Sequence, residues 1–328
     1  METLILSKQD VSKLINMKDA IASVEQAYKA YCSDQVIQPP IVSIDDAEHN
    51  GEIDIKTCYS KSEALVSIKC ASGYWDNPKR YNMPTLLATI ILLDGKNGYP
   101  LCIMDGSLIT SYRTGAAGGL SARLLAKKDS KKVAVIGAGN QARLQIKAIS
   151  EVVNIESVSV WDTCKEFMNA YKNDISALLN VSVETCGTSK EAVMDADIIV
   201  TTTPSRKMLV MNEWVKSGTH IIAIGADMKG KQEIDPKIFC RSKIYVDSVA
   251  QCVERGEIQN AIETGDIEIS DIYAELGEVL LGNKEARTNE SEVTIFDSTG
   301  MGIQDNTLAA LIYQKALSSN VGTTIKLL

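Results

Sequence analysis

Apolar and polar positions along the chain follow two regimes, and the change comes near residue 130. From Lys132 onward, short apolar runs alternate with helical-period stretches. That is the pattern of a parallel sheet with crossover helices. The runs are Val133–Ile136, Val158–Trp161, Val181–Val183, Asp197–Pro204, His220–Ile224, Ile244–Asp247 and Val293–Asp297. Helices are predicted over Arg143–Ser150, Ser189–Ala196 and Asn306–Leu317. Upstream the pattern differs. A short strand, Leu4–Leu6, precedes a helix start at Ser7–Asp10, and Val11, Leu14, Ile15, Ile21, Val24, Ala27, Tyr28 and Tyr31 recur at helical spacing. Tyr28 and Tyr31 read as the edge of a core. Pro39-Pro40 breaks this pattern, and a polar loop runs through Gly51. Strand-like stretches follow at Ile53–Lys56, Ala64–Cys70, Thr85–Leu93 and Tyr99–Asp105, with turn chemistry at Ser72–Arg80 and Asp94-Gly95. No helix separates these strands, so they form a second sheet. One long helix, Ser107–Lys127, links the two regimes.

The first run of the second regime ends in Gly137-Ala138-Gly139-Asn140-Gln141-Ala142. A buried strand, this glycine spacing and a following helix make a dinucleotide-binding turn. Gly137 permits the tight turn, Gly139 lets backbone approach a pyrophosphate, and the small Ala142 lets the helix pack close to its strand. Asp162 ends the next strand, 162 − 137 = 25 positions on, close to where a ribose-binding carboxylate is expected; alternatively it is an exposed acid of another α/β protein. No arginine occurs in Trp161–Cys164, which favours NAD(H) over NADP(H). The fold class is therefore α/β, a Rossmann-type doubly wound parallel sheet plus a second α+β domain. Thr202, where the Asp197–Pro204 run ends, lies at the kind of strand end where dinucleotides and substrates meet.

Three charged residues stand out against this pattern. Lys69 is the sole charge in the apolar run Ala64–Cys70; it either meets an anion or solubilises an edge strand. Arg113 precedes the small-residue run Thr114–Gly119, which allows close packing against a backbone or a ligand. These surroundings favour a buried guanidinium with an anionic partner over a surface arginine. Asp227 follows a core strand beside a glycine, as a catalytic acid or as a cap.

Composition narrows the classes. Of 328 residues, 45% are hydrophobic, which excludes disorder and allows two domains. A net charge of −8 disfavours nucleic acid and anionic membrane surfaces as partners. No apolar run spans a bilayer, and no basic segment followed by an apolar core opens the chain. Eight scattered cysteines without a C-x-x-C pair, and two distant histidines, argue against a metal site and for reduced, mostly buried thiols in the cytoplasm.

Several stretches together resemble the ornithine cyclodeaminase/mu-crystallin family, from the first helix to Val321–Thr324. They are Lys69 through Asn77-Pro78, Arg113–Ala117, Gly137–Ala142, Ile224–Asp227, Tyr273–Glu278 and Phe296–Gly300. The resemblance implies a homodimer acting on a small amino or imino acid with a nicotinamide cofactor. It implies a substrate-binding and dimerisation domain over 1–117, completed by 318–328, and a dinucleotide-binding domain over 118–317. It also implies roles for particular residues. Lys69 and Arg113 resemble the family's carboxylate-binding pair, with Lys69 close to the chemistry, and Asp227 resembles the acid that handles the substrate nitrogen. Thr85 matches a pocket threonine, while Thr114, Asn140, Gln141 and Thr299 match positions near the cofactor. Cyclodeaminases carry a further arginine upstream of the lysine, and here no arginine precedes Arg80. Lys56 is the candidate replacement, and Asp54 corresponds to an acid of the cyclodeaminase pocket. The departure favours an imine reductase or amino-acid dehydrogenase over an ornithine cyclodeaminase. A crystallin-like binding protein without activity is the reading of another class.

Overall fold

The computed structural model describes residues 2–327 and separates into two units, Met1–Arg113 with Met301–Leu328, and Thr114–Gly300. In the first unit, β1 (Thr3–Leu6) leads into a helix, Lys8–Leu14, capped by Ser7. Asp10 completes that cap, its carboxylate accepting from the Ser7 N–H and its own N–H donating to Ser7 Oγ. The helix Met17–Tyr31 follows and buries Ile21, Val24, Ala27 and Tyr28. Then come β2 (Val36–Ile37), β3 (Val42–Asp46), β4 (Gly51–Ser60), β5 (Leu65–Tyr74), β6 (Leu86–Asp94) and β7 (Pro100–Asp105). With the strand Thr323–Ile325 they form one sheet, whose path from that strand runs through β1, β7, β6, β5 and β4 to β2, with β3 also paired to β4. Two expectations change here. The segment after Pro40 contains β3, and Ser72–Tyr74 continue β5 instead of turning, because both stretches pair in register along β4.

The helix Gly302–Ser319 lies across this sheet, which corrects the expected boundaries at 117 and 318. Its residues are committed to the first unit. Gln304 donates to the Tyr28 hydroxyl at 3.1 Å, Thr307 Oγ1 lies 3.0 Å from Ser23 Oγ, and Asn306 donates to the Leu65 carbonyl at 3.2 Å. Tyr28 is thus in the core and not at its edge.

The second unit holds β8 (Lys132–Ile136), β9 (Ser157–Trp161), β10 (Ser182–Thr185), β11 (Ile198–Thr201), β12 (Arg206–Val210), β13 (His220–Ala223), β14 (Gln232–Ile234), β15 (Ser242–Val246), β16 (Ile272–Glu275) and β17 (Val293–Asp297). Eight of them form a parallel sheet in the order β10-β9-β8-β11-β13-β17-β15-β16, while β12 and β14 pair separately. The order reverses between β8 and β11, the switch point where α/β sheets bind ligands. Both strands are buried nearly throughout, as strands covered on two faces must be. The helix Lys165–Leu179 after β9 was not foreseen; its buried residues are only Met168, Tyr171 and Ile175.

The run Thr114–Gly119 lies in the helix Gly106–Leu125 and packs against the helix Asn140–Ser150. A Cβ at Gly115 would come within 2.8 Å of the Leu144 carbonyl oxygen, and one at Gly119 within 2.8 Å of Ala148. The close partner is a helix backbone. His220 is a buried core residue, its ring nitrogens 2.9 Å from Thr294 Oγ1 and 3.2 Å from Ser121 Oγ. All eight cysteines are free, but only Cys58, Cys102, Cys186 and Cys252 are buried, and Cys70 and Cys240 are exposed. Among the described residues no helix is long and apolar enough to cross a membrane.

Candidate active site

β5 lies between β4 and β6, so Lys69 sits on an interior strand and not on an edge. Its side chain is 1% exposed, and Nζ lies 2.5 Å from Asp305 Oδ2. Arg113 Nε donates to Asp305 Oδ1 at 3.1 Å, with Arg113 5% exposed. A strand, the middle of the helix Gly106–Leu125 and the first turn of Gly302–Ser319 thus converge on one buried carboxylate. Gly302 permits this approach, because a Cβ there would lie 3.1 Å from the Thr57 carbonyl oxygen. Lys56 stands directly opposite Lys69 across β4 and β5 and so shares its face of the sheet. Asp54, opposite Ala71, is on the same face and accepts from Ser43 Oγ at 2.5 Å.

Asp305 corrects the sequence argument in part. The anion that buried Lys69 and Arg113 call for is a carboxylate of the protein itself. Two buried cations still face one anion, so positive charge is in excess. Burial pushes the Lys69 ammonium down to about 7; Asp305 opposes this, while Arg113 and Lys56 add to it. Burial alone would raise the Asp305 carboxyl, but Lys69 and then Arg113 hold it below the usual carboxylate range. Asp305 is the sole charge between Asp297 and Lys315, but it stands among Gln304, Asn306 and Thr307 and not in an apolar run, so the reasoning applied to Lys69 does not single it out. The predicted helix began one residue too late to include it.

Thr85 is not part of this cluster. It lies just ahead of β6, where its carbonyl accepts from the Tyr74 N–H at 2.9 Å, at a position 74 − 69 = 5 residues along β5 from Lys69. The strand rise makes that about 17 Å.

In the second unit, Gly137 has φ +98°, and a Cβ there would come within 2.8 Å of Thr202 Oγ1. Gly139 caps the helix Asn140–Ser150 with no side-chain hydrogen bond, and the space where its Cβ would stand is open to 4 Å. Gln141 Oε1 is buried with no hydrogen-bond partner. An open cradle of glycine backbone at the start of an 11-residue helix suits a dinucleotide pyrophosphate. Ala142 is fully buried, as close helix–strand packing requires. Asp162 Oδ2 accepts from the Ala138 N–H at 2.8 Å, and Oδ1 from the Cys164 N–H at 2.9 Å. It therefore braces the glycine loop. Arg143, which sequence reasoning passed over, donates to the carbonyls of Ala138 and Gly139 and pairs with Asp174. Thr202 N–H and Oγ1 both donate to the Ile136 carbonyl. The Thr114 carbonyl accepts from Gln145, and Thr299 Oγ1 from Gln251. Asp227 follows β13, and its Oδ1 lies 2.5 Å from Lys231 Nζ.

A glycine cradle at the switch point of a parallel sheet defines a dinucleotide-binding protein, here joined to a unit with a buried cationic cluster. The chain belongs to the ornithine cyclodeaminase/mu-crystallin family, whose model matches residues 1–320. It is 40% identical over 326 residues to an alanine dehydrogenase of Archaeoglobus fulgidus, covering 99% of each chain. Its structure is similar to that of an archaeal alanine dehydrogenase dimer with bound NAD (TM-score 0.95, 39% identity, 100% of each chain). It is also similar to the iminosuccinate reductase of Paracoccus denitrificans in complex with NAD+ (TM-score 0.93, 31% identity, 100% of each chain).

Proposed function

We propose that this protein is an NAD(H)-dependent imine reductase or amino-acid dehydrogenase, acting at the α-carbon of a small amino or imino acid. The observation that carries this reading is that two buried cations, Lys69 and Arg113, share the single carboxylate of Asp305. A substrate α-carboxylate completes the charge balance there, and charge-assisted bonds from two fixed cations orient the α-carbon. When bound, the nicotinamide supplies or accepts the hydride. In the reducing direction the imine carbon gains hydride and the nitrogen gains a proton; Asp227 handles that proton and the charge on nitrogen. Gly137, Gly139, Asn140, Gln141 and Ala142 are the proposed cofactor loop, with Thr114, Thr202 and Thr299 nearby positions. Asp162 accepts from the ribose hydroxyls, for a carboxylate has lone pairs beyond its two loop bonds. The absence of an arginine before Arg80 weighs against ornithine cyclisation.

The similarity to a dimeric alanine dehydrogenase supports a homodimer. So does the sheet face of the first unit opposite the helix Gly302–Ser319. Ile44, Ile53, Ser72 and Leu87 form one row across that face, and Val42, Ile55, Cys70 and Thr89 the next. Val42, Ile44 and Leu87 are exposed, as residues awaiting a partner surface are.

The test compares NADH turnover with a cyclic imino acid and with the same cyclic imine lacking its carboxylate. Efficient turnover of the first alone supports the reading. Equal kcat/KM for both removes the carboxylate from recognition and overturns it.

A further inference from the structure

Three buried carboxylates in the second unit each hold the backbone that carries the next. Asp297, at the end of β17, accepts from the N–H groups of Glu257 and Ile258 at 3.1 and 3.0 Å. Glu257 Oε1 accepts from the N–H groups of Glu233 and Ile234 at 2.7 and 2.6 Å. Glu233, on β14, accepts through Oε1 from both the N–H and the Oγ1 of Thr203, each at 2.7 Å. All three acids are at most 1% exposed. Carboxylates spent this way on backbone are uncommon, since each costs desolvation. What they fix is the end of the series.

Thr203 follows β11, and Gly225-Ala226-Asp227 follows β13, its parallel neighbour. Glu233 lies between these two loops. Its Oε2 makes no hydrogen bond of ordinary geometry and rests against Gly225: a Cβ there would fall 2.0 Å from Oε2 and 2.3 Å from the Thr203 carbonyl oxygen. Only glycine fits, and the loop cannot shift towards β14 without meeting the carboxyl. Asp227 is two residues further on, with its carbonyl held by Arg255 Nε at 3.0 Å.

We propose that Glu233 is a positioning residue for Asp227, locking the loop after β13 to the loop after β11, with Glu257 and Asp297 as its buried supports. The inference rests on the proposed role of Asp227. Burial raises the Glu233 carboxyl to about 7, against the opposing hydrogen bonds from Thr203.

A double-mutant cycle tests this, with steady-state kinetics on the identified substrate and NADH affinity by fluorescence. Glu233→Ala removes the acceptor and the wall against Gly225. It is expected to lower kcat at least tenfold with NADH affinity within twofold of the parent. In an Asp227→Asn background the same change is expected to lower kcat less than twofold, because the group it positions is already disabled. Glu233→Gln, which keeps an acceptor for Thr203, serves if the alanine variant does not fold; its smaller loss must likewise vanish in the Asp227→Asn background. Equal losses in both backgrounds, or no loss in either variant, overturn the proposal. If Asp227→Asn alone leaves kcat unchanged, the role of Asp227 fails first, and that outcome is distinct from additive losses.

Discussion

Lys69 Nζ and Asp305 Oδ2 lie 2.5 Å apart in a site that water scarcely reaches, with Arg113 on the other carboxylate oxygen. The pair joins an interior strand to a C-terminal helix and sets the charge of the site. Asp305 accordingly ties the strand to the helix and holds two buried cations in place.

Asp305→Asn leaves two buried cations without their anion. It is expected to destabilise the protein by about 3–5 kcal/mol, the usual cost of breaking a buried pair from one side. Urea unfolding followed by circular dichroism measures this. A loss under about 1 kcal/mol would show the cluster to be more solvated than its burial implies.

Lys69→Met leaves Asp305 to Arg113 and removes one charge from the substrate carboxylate. Substrate binding should weaken by about 1.5–3 kcal/mol, roughly ten- to a hundredfold, while NADH affinity stays nearly unchanged. The readouts are KM for the imino acid and fluorescence titration of NADH. Parallel losses in both would mean that the variant has disturbed the whole fold.

Because burial, with Arg113 and Lys56, brings Lys69 down to about 7, its charge is present below that pH and lost above it. An anionic substrate binds the protonated form, so KM should be flat at acid pH and rise as pH climbs through 7. In Lys69→Met the rise should disappear. A KM profile with the same alkaline limb in both proteins would assign it to another group.

These expectations were not equally legible beforehand. The parallel sheet, the glycine loop and the short apolar strands follow from periodicity, since strands buried on both faces have few ways to be written. Asp162 was visible, but its bonds to Ala138 and Cys164 were not, because they depend on loop backbone. Thr85 was placed by family likeness, and its backbone bond to Tyr74 just ahead of β6 was not visible in the sequence. Asp305 and Glu233 escaped notice because each answers a partner distant in sequence, and periodicity reports only near neighbours.

The carboxylate of Asp162 disfavours a 2′-phosphate, so the unmodified protein should prefer NADH, and Asp162→Ser should narrow its preference over NADPH by about tenfold or more. The serine also loses a brace on the glycine loop, so NADH affinity should fall in the same variant. Equal kcat/KM for NADH and NADPH before mutation would contradict the assignment.

The most direct test of the account is the hydride balance. NADH absorbance, proline and ammonia are followed together, first with cyclic imino acids or with 2-oxo acids plus ammonia, then with ornithine. The account predicts one NADH consumed for each imine reduced, and little or no proline from ornithine. Efficient conversion of ornithine to proline and ammonia at constant NADH would contradict it.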